Sequence, residues 1–176
     1  MKHGMTHLYT GDGKGKTTAA LGLTLRAAGH GLRVGIFQFC KHTPCGELTA
    51  LKQFPKVSLQ RADTECDKFT WEMSPEEKEG WREAQRALFD DACEAATCGQ
   101  YDMVVLDEAM GAIHGGALDE KQLLYLISHK SRSTELIITG RSGGKALIEA
   151  CDYVTEMRCL SHPLDKGEHA RRGVEY

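Results

Sequence analysis

The chain has 176 residues, 41% of them hydrophobic and 27% charged, a balance that fits one domain, 1–176, with a sizeable core. Its net charge of −3 excludes broad electrostatic binding to nucleic acid, which wants a strongly basic face. No apolar run is long enough to span a bilayer and no apolar signal segment follows Met1-Lys2-His3-Gly4, so the expected compartment is the cytoplasm.

The first strand-like run is His7-Leu8-Tyr9. It leads into Thr10-Gly11-Asp12-Gly13-Lys14-Gly15-Lys16-Thr17-Thr18 and then into a helix over 17–28. Strand, glycine loop, Lys-Thr and helix form the context of a P-loop. Glycines let backbone N–H groups turn towards phosphate oxygens, and the helix N-terminus adds partial positive charge. Lys16 would reach those oxygens, and Thr17 would offer its hydroxyl to a phosphate-bound divalent cation. The usual pattern places its first glycine where this chain has Thr10, and the glycine comes one step later at Gly11. Ordinary γ-phosphate chemistry is therefore not assumed. The bland alternative is a glycine-rich strand–helix turn.

Gly29-His30-Gly31 ends the helix, with Arg26 in its last turn, where a cation is favourable. Val34 to Phe39 reads as a buried strand. A short helix over 46–54 and a short strand over 57–60 follow. Phe69 and Trp71 flank Thr70, and an extended backbone would place both rings on one side. From residues alone they read first as core aromatics at a strand edge, and second as an apolar wall for a large flat ligand. Ser74-Pro75-Glu76-Glu77 carries the signals of a capped helix start, and Trp81, Ala84, Leu88 and Ala92 then recur on one face.

Asp102 to Glu108 is an apolar strand ending in two acids. It resembles a Walker B element, expected beside the P-loop strand and delivering a carboxylate to the cation held by Thr17. Spacing leaves open whether Asp107 or Glu108 binds that metal directly. A helix over 119–129 buries Leu123, Leu124 and Ile127. Leu136 to Thr139 is a further buried strand running into Gly140-Arg141-Ser142. An arginine at the carboxyl end of such a strand sits where ligands bind in open α/β sheets, so Arg141 reads as a phosphate clamp. A short helix over 146–151, a last strand over 154–157 and an irregular tail complete the chain. The seven cysteines are scattered. Cys40, His42 and Cys45 fit no standard zinc spacing, and reduced, partly buried thiols are expected. Alternating strands and helices predict an α/β, P-loop NTPase-like three-layer fold, with a mainly parallel central sheet and helices on both faces.

Taken together, these segments resemble the P-loop class of ATP:corrinoid (cob(I)alamin) adenosyltransferases. The resemblance rests on 9–20 with Gly22, Arg26-Ala27, Gly29-His30-Gly31, Val34-Gly35, Gln38-Phe39, Phe69-Thr70-Trp71-Glu72, 102–108, 137–141, 147–150, 154–158, His162-Pro163 and 172–176. It implies transfer of the 5′-deoxyadenosyl group of ATP to the cobalt of a reduced corrinoid, with release of triphosphate. By position, Gly11, Asp12, Gly13, Lys14, Gly15, Lys16, Thr17 and Thr18 would bind triphosphate. Thr17 with Glu108, or Asp107, would hold Mg²⁺ or Mn²⁺. Arg26 would lie towards the nucleoside and Arg141 towards the phosphates. Phe69 and Trp71 would face the corrin. Lys16, Thr17, Glu108 and Arg141 form the implied catalytic set. A flavoprotein or free reduced flavin is implied as electron donor, and a homodimer as the assembly.

Cobalt(I) is already a strong nucleophile, so position and stabilisation of the leaving triphosphate would carry catalysis, with no general base. The chain departs from the family in several places. The strand starts almost at once, so a cover formed by an N-terminal extension is expected to be short or absent. Ala109-Met110-Gly111-Ala112 follows Glu108 where polar and aromatic residues are common. Cys40-Lys41-His42 replaces an aliphatic residue, Lys and Gly, and Ser142 replaces Gly after Arg141. Rival readings are another P-loop phosphotransferase or ATPase, such as a nucleoside kinase, and a non-enzymatic corrinoid- or ATP-binding module.

Overall fold

A computed structural model describes residues 3–41, 46–62, 68 and 70–174, the side chain of Leu48 excepted. Six parallel strands form one sheet: β1 (Thr6–Thr10), β2 (Val34–Gln38), β3 (Val57–Arg61), β4 (Met103–Asp107), β5 (Glu135–Thr139) and β6 (Tyr153–Glu156). Their order across the sheet is β3-β2-β4-β5-β1-β6. The helices are α1 (Lys16–Gly29), α2 (Gly46–Leu51), α3 (Pro75–Thr97), α4 (Ala109–His114), α5 (Glu120–His129) and α6 (Lys145–Ala150).

The period of two along each strand divides the core in two. Val104, Leu106, Leu136 and Ile138 point to the face covered by α3, α4, α5 and α6. Met103, Val105 and Ile137 point to the face covered by α1 and α2. The three-layer α/β expectation is met. One expectation about topology is not: β4 does not lie beside β1. Its neighbours are β2 and β5, and β5 stands between it and the P-loop strand.

Several helix predictions are met by local chemistry. Ser74 caps α3 by accepting from the Glu77 N–H, and Glu77 returns the bond to the Ser74 N–H, with Pro75 in the first turn. Trp81, Leu88 and Ala92 are buried from that helix. On α5 the buried residues are Leu123 and Leu126, while Leu124 and Ile127 are only half-buried. The predicted face was thus rotated by less than one turn. Helix α4 was not foreseen, because six residues carry too little periodicity to detect. Thr70 and Trp71 form a turn rather than extended backbone, and Trp71 is 74% exposed, so it is not a core aromatic. Phe69, His42 and Cys45 lie outside the described residues. No helix among the described residues is long and apolar enough to cross a membrane.

The strand start of β5 carries a polar tie to β1. Glu135 accepts from the Met5 N–H at 2.8 Å and pairs with His7 Nε2 at 2.6 Å. Burial alone would raise the Glu135 carboxyl, but His7, the Met5 N–H and the Lys130 charge hold it below its ordinary value. The unfolded chain therefore takes up this proton at higher pH than the folded chain. The stabilisation is complete above the ordinary carboxylate range and is lost as pH falls through the lower folded value. Glu135→Gln is expected to cost about 1–2 kcal/mol at neutral pH. In urea unfolding the gap to the parent protein should close as the pH is taken below about 4. A gap that stays constant down to acid pH would refute the assignment.

Candidate active site

The strands are parallel, so their carboxyl ends share one edge, and the loops after β1, β2, β4 and β5 meet there. The P-loop starts one residue late because β1 runs through Thr10. The Thr10 side chain is buried and its Oγ1 accepts from the Gly143 N–H at 3.3 Å. Gly11 then turns the chain with φ +101°, and a Cβ there would lie 2.3 Å from the Met157 carbonyl oxygen. That segment clamps the loop: Met157 N–H donates to Thr10 O at 2.8 Å, and Gly13 N–H donates to Met157 O at 2.7 Å. The Asp12 carboxylate accepts from the Cys159 N–H at 3.0 Å, which holds this carboxyl below its usual range. The side chain of Asp12 is thus used to fasten the loop. Gly15, with φ +107°, caps α1 without a side chain, leaving the first N–H groups of the helix unblocked.

Lys16 is 8% exposed, and its ammonium donates to the carbonyls of Gly11 at 2.7 Å and Gly13 at 2.6 Å. Burial lowers its proton affinity, while the Glu108 carboxylate opposes that shift and the Arg141 guanidinium adds to it. Lys16, Glu108 and Arg141 therefore feel one another across three loops. Arg141, Lys14 and Thr18 are exposed. Arg26 is exposed on α1, and its charge acts on Tyr9 of β1.

Asp107 is the hub. Its side chain has no exposed surface and its two oxygens take four donors. Oδ1 accepts from Thr17 Oγ1 and from Thr139 Oγ1, each at 2.8 Å. Oδ2 accepts from Gln38 Nε2 and from Lys41 Nζ, again at 2.8 Å each. Lys41 Nζ also donates to Thr17 Oγ1 at 2.9 Å. Arg61 Nε fixes the Gln38 amide by donating to its Oε1 at 2.8 Å. Burial would raise the Asp107 carboxyl, but Lys41, Gln38 and Thr139 bring it below its ordinary value, so it stays ionised. Glu108 differs: it is half-buried, and its carboxylate accepts no hydrogen bond among the described residues. Its backbone N–H is held by Thr139 Oγ1 at 2.9 Å.

The intervening β5 does not separate Thr17 from Asp107. Thr139 at its end fills the gap, and the first turn of α1 reaches over it. Three non-glycine residues among those described have left-handed backbone: Cys40 (φ 56°), Glu108 (φ 61°) and Ser142 (φ 58°). They follow β2, β4 and β5 respectively, so each of these three turns carries strain on the order of 1–3 kcal/mol. The family glycine after Arg141 has a conformational reason, since Ser142 must adopt the angle a glycine takes freely.

Among the described residues no three His, Cys, Asp or Glu side chains converge on a metal position. A phosphate-bound Mg²⁺ does not require that, being held through one or two carboxylates with phosphate oxygens and waters. The Thr17 hydroxyl, the Glu108 carboxylate and the Asp107 carboxylate are oxygen donors of that kind. The Lys41 ammonium lies between two of them and shows that a cation fits there. Burial, with Glu108 beside it, pushes the Cys40 thiol up to about 12.

Gln38 and Thr139 were missed from sequence. A polar residue closing an otherwise apolar strand was the signal, and both share it with Asp107. Lys41 had no such signal, because it stands in a loop whose course depends on α3. Met157 and Cys159 act through backbone groups, which sequence does not mark.

Comparison with known proteins gives a consistent picture. A family model described as ATP:corrinoid adenosyltransferase BtuR/CobO/CobP matches residues 2–176. Similar curated proteins include the corrinoid adenosyltransferase of Escherichia coli K12, 35% identical over 99% of this chain and 87% of the relative. That of Pseudomonas aeruginosa is 32% identical over 99% and 85%. Corrinoid adenosyltransferase CobA of Salmonella typhimurium is 34% identical over 99% and 87%. Among solved structures, a KaiC-like protein from Pyrococcus horikoshii OT3 superposes with a TM-score of 0.53 over 91% of this chain and 75% of that one. At 14% identity that likeness is one of fold alone.

Proposed function

The chain belongs to the ATP:corrinoid adenosyltransferase family, and from that premise we propose that it transfers the 5′-deoxyadenosyl group of ATP to cobalt(I) of a reduced corrinoid, in adenosylcobalamin biosynthesis or salvage. The cobalt electron pair attacks C5′, the C5′–O bond breaks, and triphosphate leaves with the bonding electrons. The observation that carries the reading is the meeting of Lys16, Thr17, Asp107 and Glu108 at the P-loop.

In this reading the backbone from Gly11 to Thr18 cradles the triphosphate, except for the Gly13 N–H that Met157 holds, and Lys16 and Arg141 neutralise its growing charge. Thr17 and Glu108 hold Mg²⁺ or Mn²⁺, which when bound supplies further charge neutralisation. Asp107 acts one shell out, since its oxygens are engaged by four donors. Arg26 lies on the nucleoside side, and Phe69 and Trp71 serve the corrinoid. The working unit is one domain, 1–176, taken as a cytoplasmic homodimer fed by a reduced flavin or flavoprotein. No group is needed as a base.

The test is anaerobic incubation with ATP, Mg²⁺ and chemically reduced cob(I)alamin. Loss of the cob(I)alamin absorbance with adenosylcobalamin and triphosphate as products is expected. ADP without a corrinoid product would overturn the proposal in favour of phosphoryl transfer. Trp71 offers a second check. At 74% exposed it contributes little to folding. Trp71→Ala should retain the melting temperature and ATP affinity yet lose about tenfold or more in turnover with cob(II)alamin plus reductant. Unchanged turnover would remove Trp71 from the site.

A further inference from the structure

Lys41 is part of the cluster, but the chemistry above gives it no task. Its ammonium donates to Thr17 Oγ1 at 2.9 Å and to Asp107 Oδ2 at 2.8 Å. Thr17 spends its own proton on Asp107 Oδ1. Its lone pairs therefore face Lys41, and those lone pairs are what a divalent cation would take from Thr17. The placement is built rather than casual. Cys40 turns the chain through its left-handed backbone, and its N–H donates to Oε1 of the fully buried Gln85 at 3.1 Å. The Cys40 sulfur packs where α4 has Gly111, 3.1 Å from the position of an added Cβ. Helices α3 and α4 thus fix the bend that sends Lys41 back onto Asp107, and the Lys41 side chain keeps 31% exposure, room to swing out.

An ammonium and a divalent cation cannot both sit against the Thr17 hydroxyl, because like charges a few ångströms apart repel strongly at a partly buried site. We propose that Lys41 is a tethered cation standing at the Thr17 hydroxyl, in place of the ion that Thr17 and Glu108 would hold, which excludes a free divalent ion and yields only to one arriving with triphosphate. The triphosphate supplies the negative charge that draws the Lys41 ammonium off Asp107 and gives it a new partner. Metal binding is thereby made dependent on nucleotide, and Lys41 is a positioning residue for both. The inference rests on the metal reading of Thr17 and Glu108 given above.

The experiment uses Mn²⁺ as probe, followed by electron paramagnetic resonance, with and without ATP. The parent protein should bind Mn²⁺ alone weakly and Mn²⁺ with ATP tightly. Lys41→Met should bind Mn²⁺ alone roughly tenfold more tightly or better, the order expected on removing one nearby like charge. Lys41→Gln, which keeps a donor for Asp107, should do the same and serves if Lys41→Met does not fold. Adding Thr17→Val to the folded variant should abolish the gain. Equal Mn²⁺ affinity in parent and variant would overturn the tethered-cation role while leaving the metal reading intact. A gain that survives Thr17→Val would overturn it by placing the ion elsewhere. Failure of the parent protein to bind Mn²⁺ even with ATP would instead defeat the metal reading, and the inference with it.

Discussion

Lys16→Ala is expected to lower ATP affinity by about a hundredfold while the protein stays folded. The ammonium is nearly buried and held inside the loop by two of the loop's own carbonyls, at 2.7 and 2.6 Å. Phosphate oxygens carry formal charge and those carbonyls do not, so triphosphate is the stronger partner for the same donor. Two charge-assisted hydrogen bonds net of that exchange give about 3 kcal/mol, hence the hundredfold. The Glu108 carboxylate opposes the fall in Lys16 proton affinity that burial causes. Calorimetric titration with ATP and Mg²⁺ measures the loss, and a melting curve controls for folding. If Lys16 only staples Gly11 to Gly13, the variant would melt lower and bind ATP normally. That pairing of results would retire its phosphate role.

What sequence reveals here follows from which interactions are local. The P-loop could be read because its strand, glycines and helix start are consecutive, and each has its own backbone reason. The capping box of α3 was legible for the same reason. The acids of β4 were legible as a strand end. Their position in the sheet was not, since β5, over a hundred residues after β1 in sequence, pairs with both β1 and β4 and stands between them. That insertion makes Thr139 a partner of Asp107, and no periodicity signals it. Trp71 illustrates the opposite error. Two aromatics one residue apart suggest an extended strand, yet the chain turns there and leaves the indole in solvent. It is the exposure of the indole that removes it from the core.

The division between Asp107 and Glu108, left open by spacing, acquires a physical basis from hydrogen-bond accounting. A carboxylate with two donors on each oxygen is structurally committed, while its neighbour, turned into left-handed backbone, keeps its oxygens available. The left-handed backbone at Glu108 takes this acid out of the alternation of the strand. In extended backbone the two acids would point to opposite faces of the sheet.

Asp107→Asn is therefore expected to be the most destabilising single change at this edge, by about 3 kcal/mol. The amide offers one oxygen and one NH₂ group where the carboxylate offered two acceptors. Turned towards Gln38 and Lys41, its NH₂ group faces two groups that only donate there; turned towards Thr17 and Thr139, it makes both hydroxyls change from donating to accepting. The Lys41 ammonium also loses its counter-charge, although its partial exposure lets it recover some hydration. For a chain of this length the loss corresponds to a fall in melting temperature of roughly 6–12 °C. Because part of the loss is the stranded Lys41 charge, the Asn substitution should cost less in a Lys41→Met background. A double-mutant cycle should return a coupling of about 1 kcal/mol or more. Melting within a degree of the parent protein would mean that the cluster rearranges freely and that Asp107 is not its hub. A large loss with no coupling to Lys41 would assign the stability to the Thr17, Thr139 and Gln38 bonds alone.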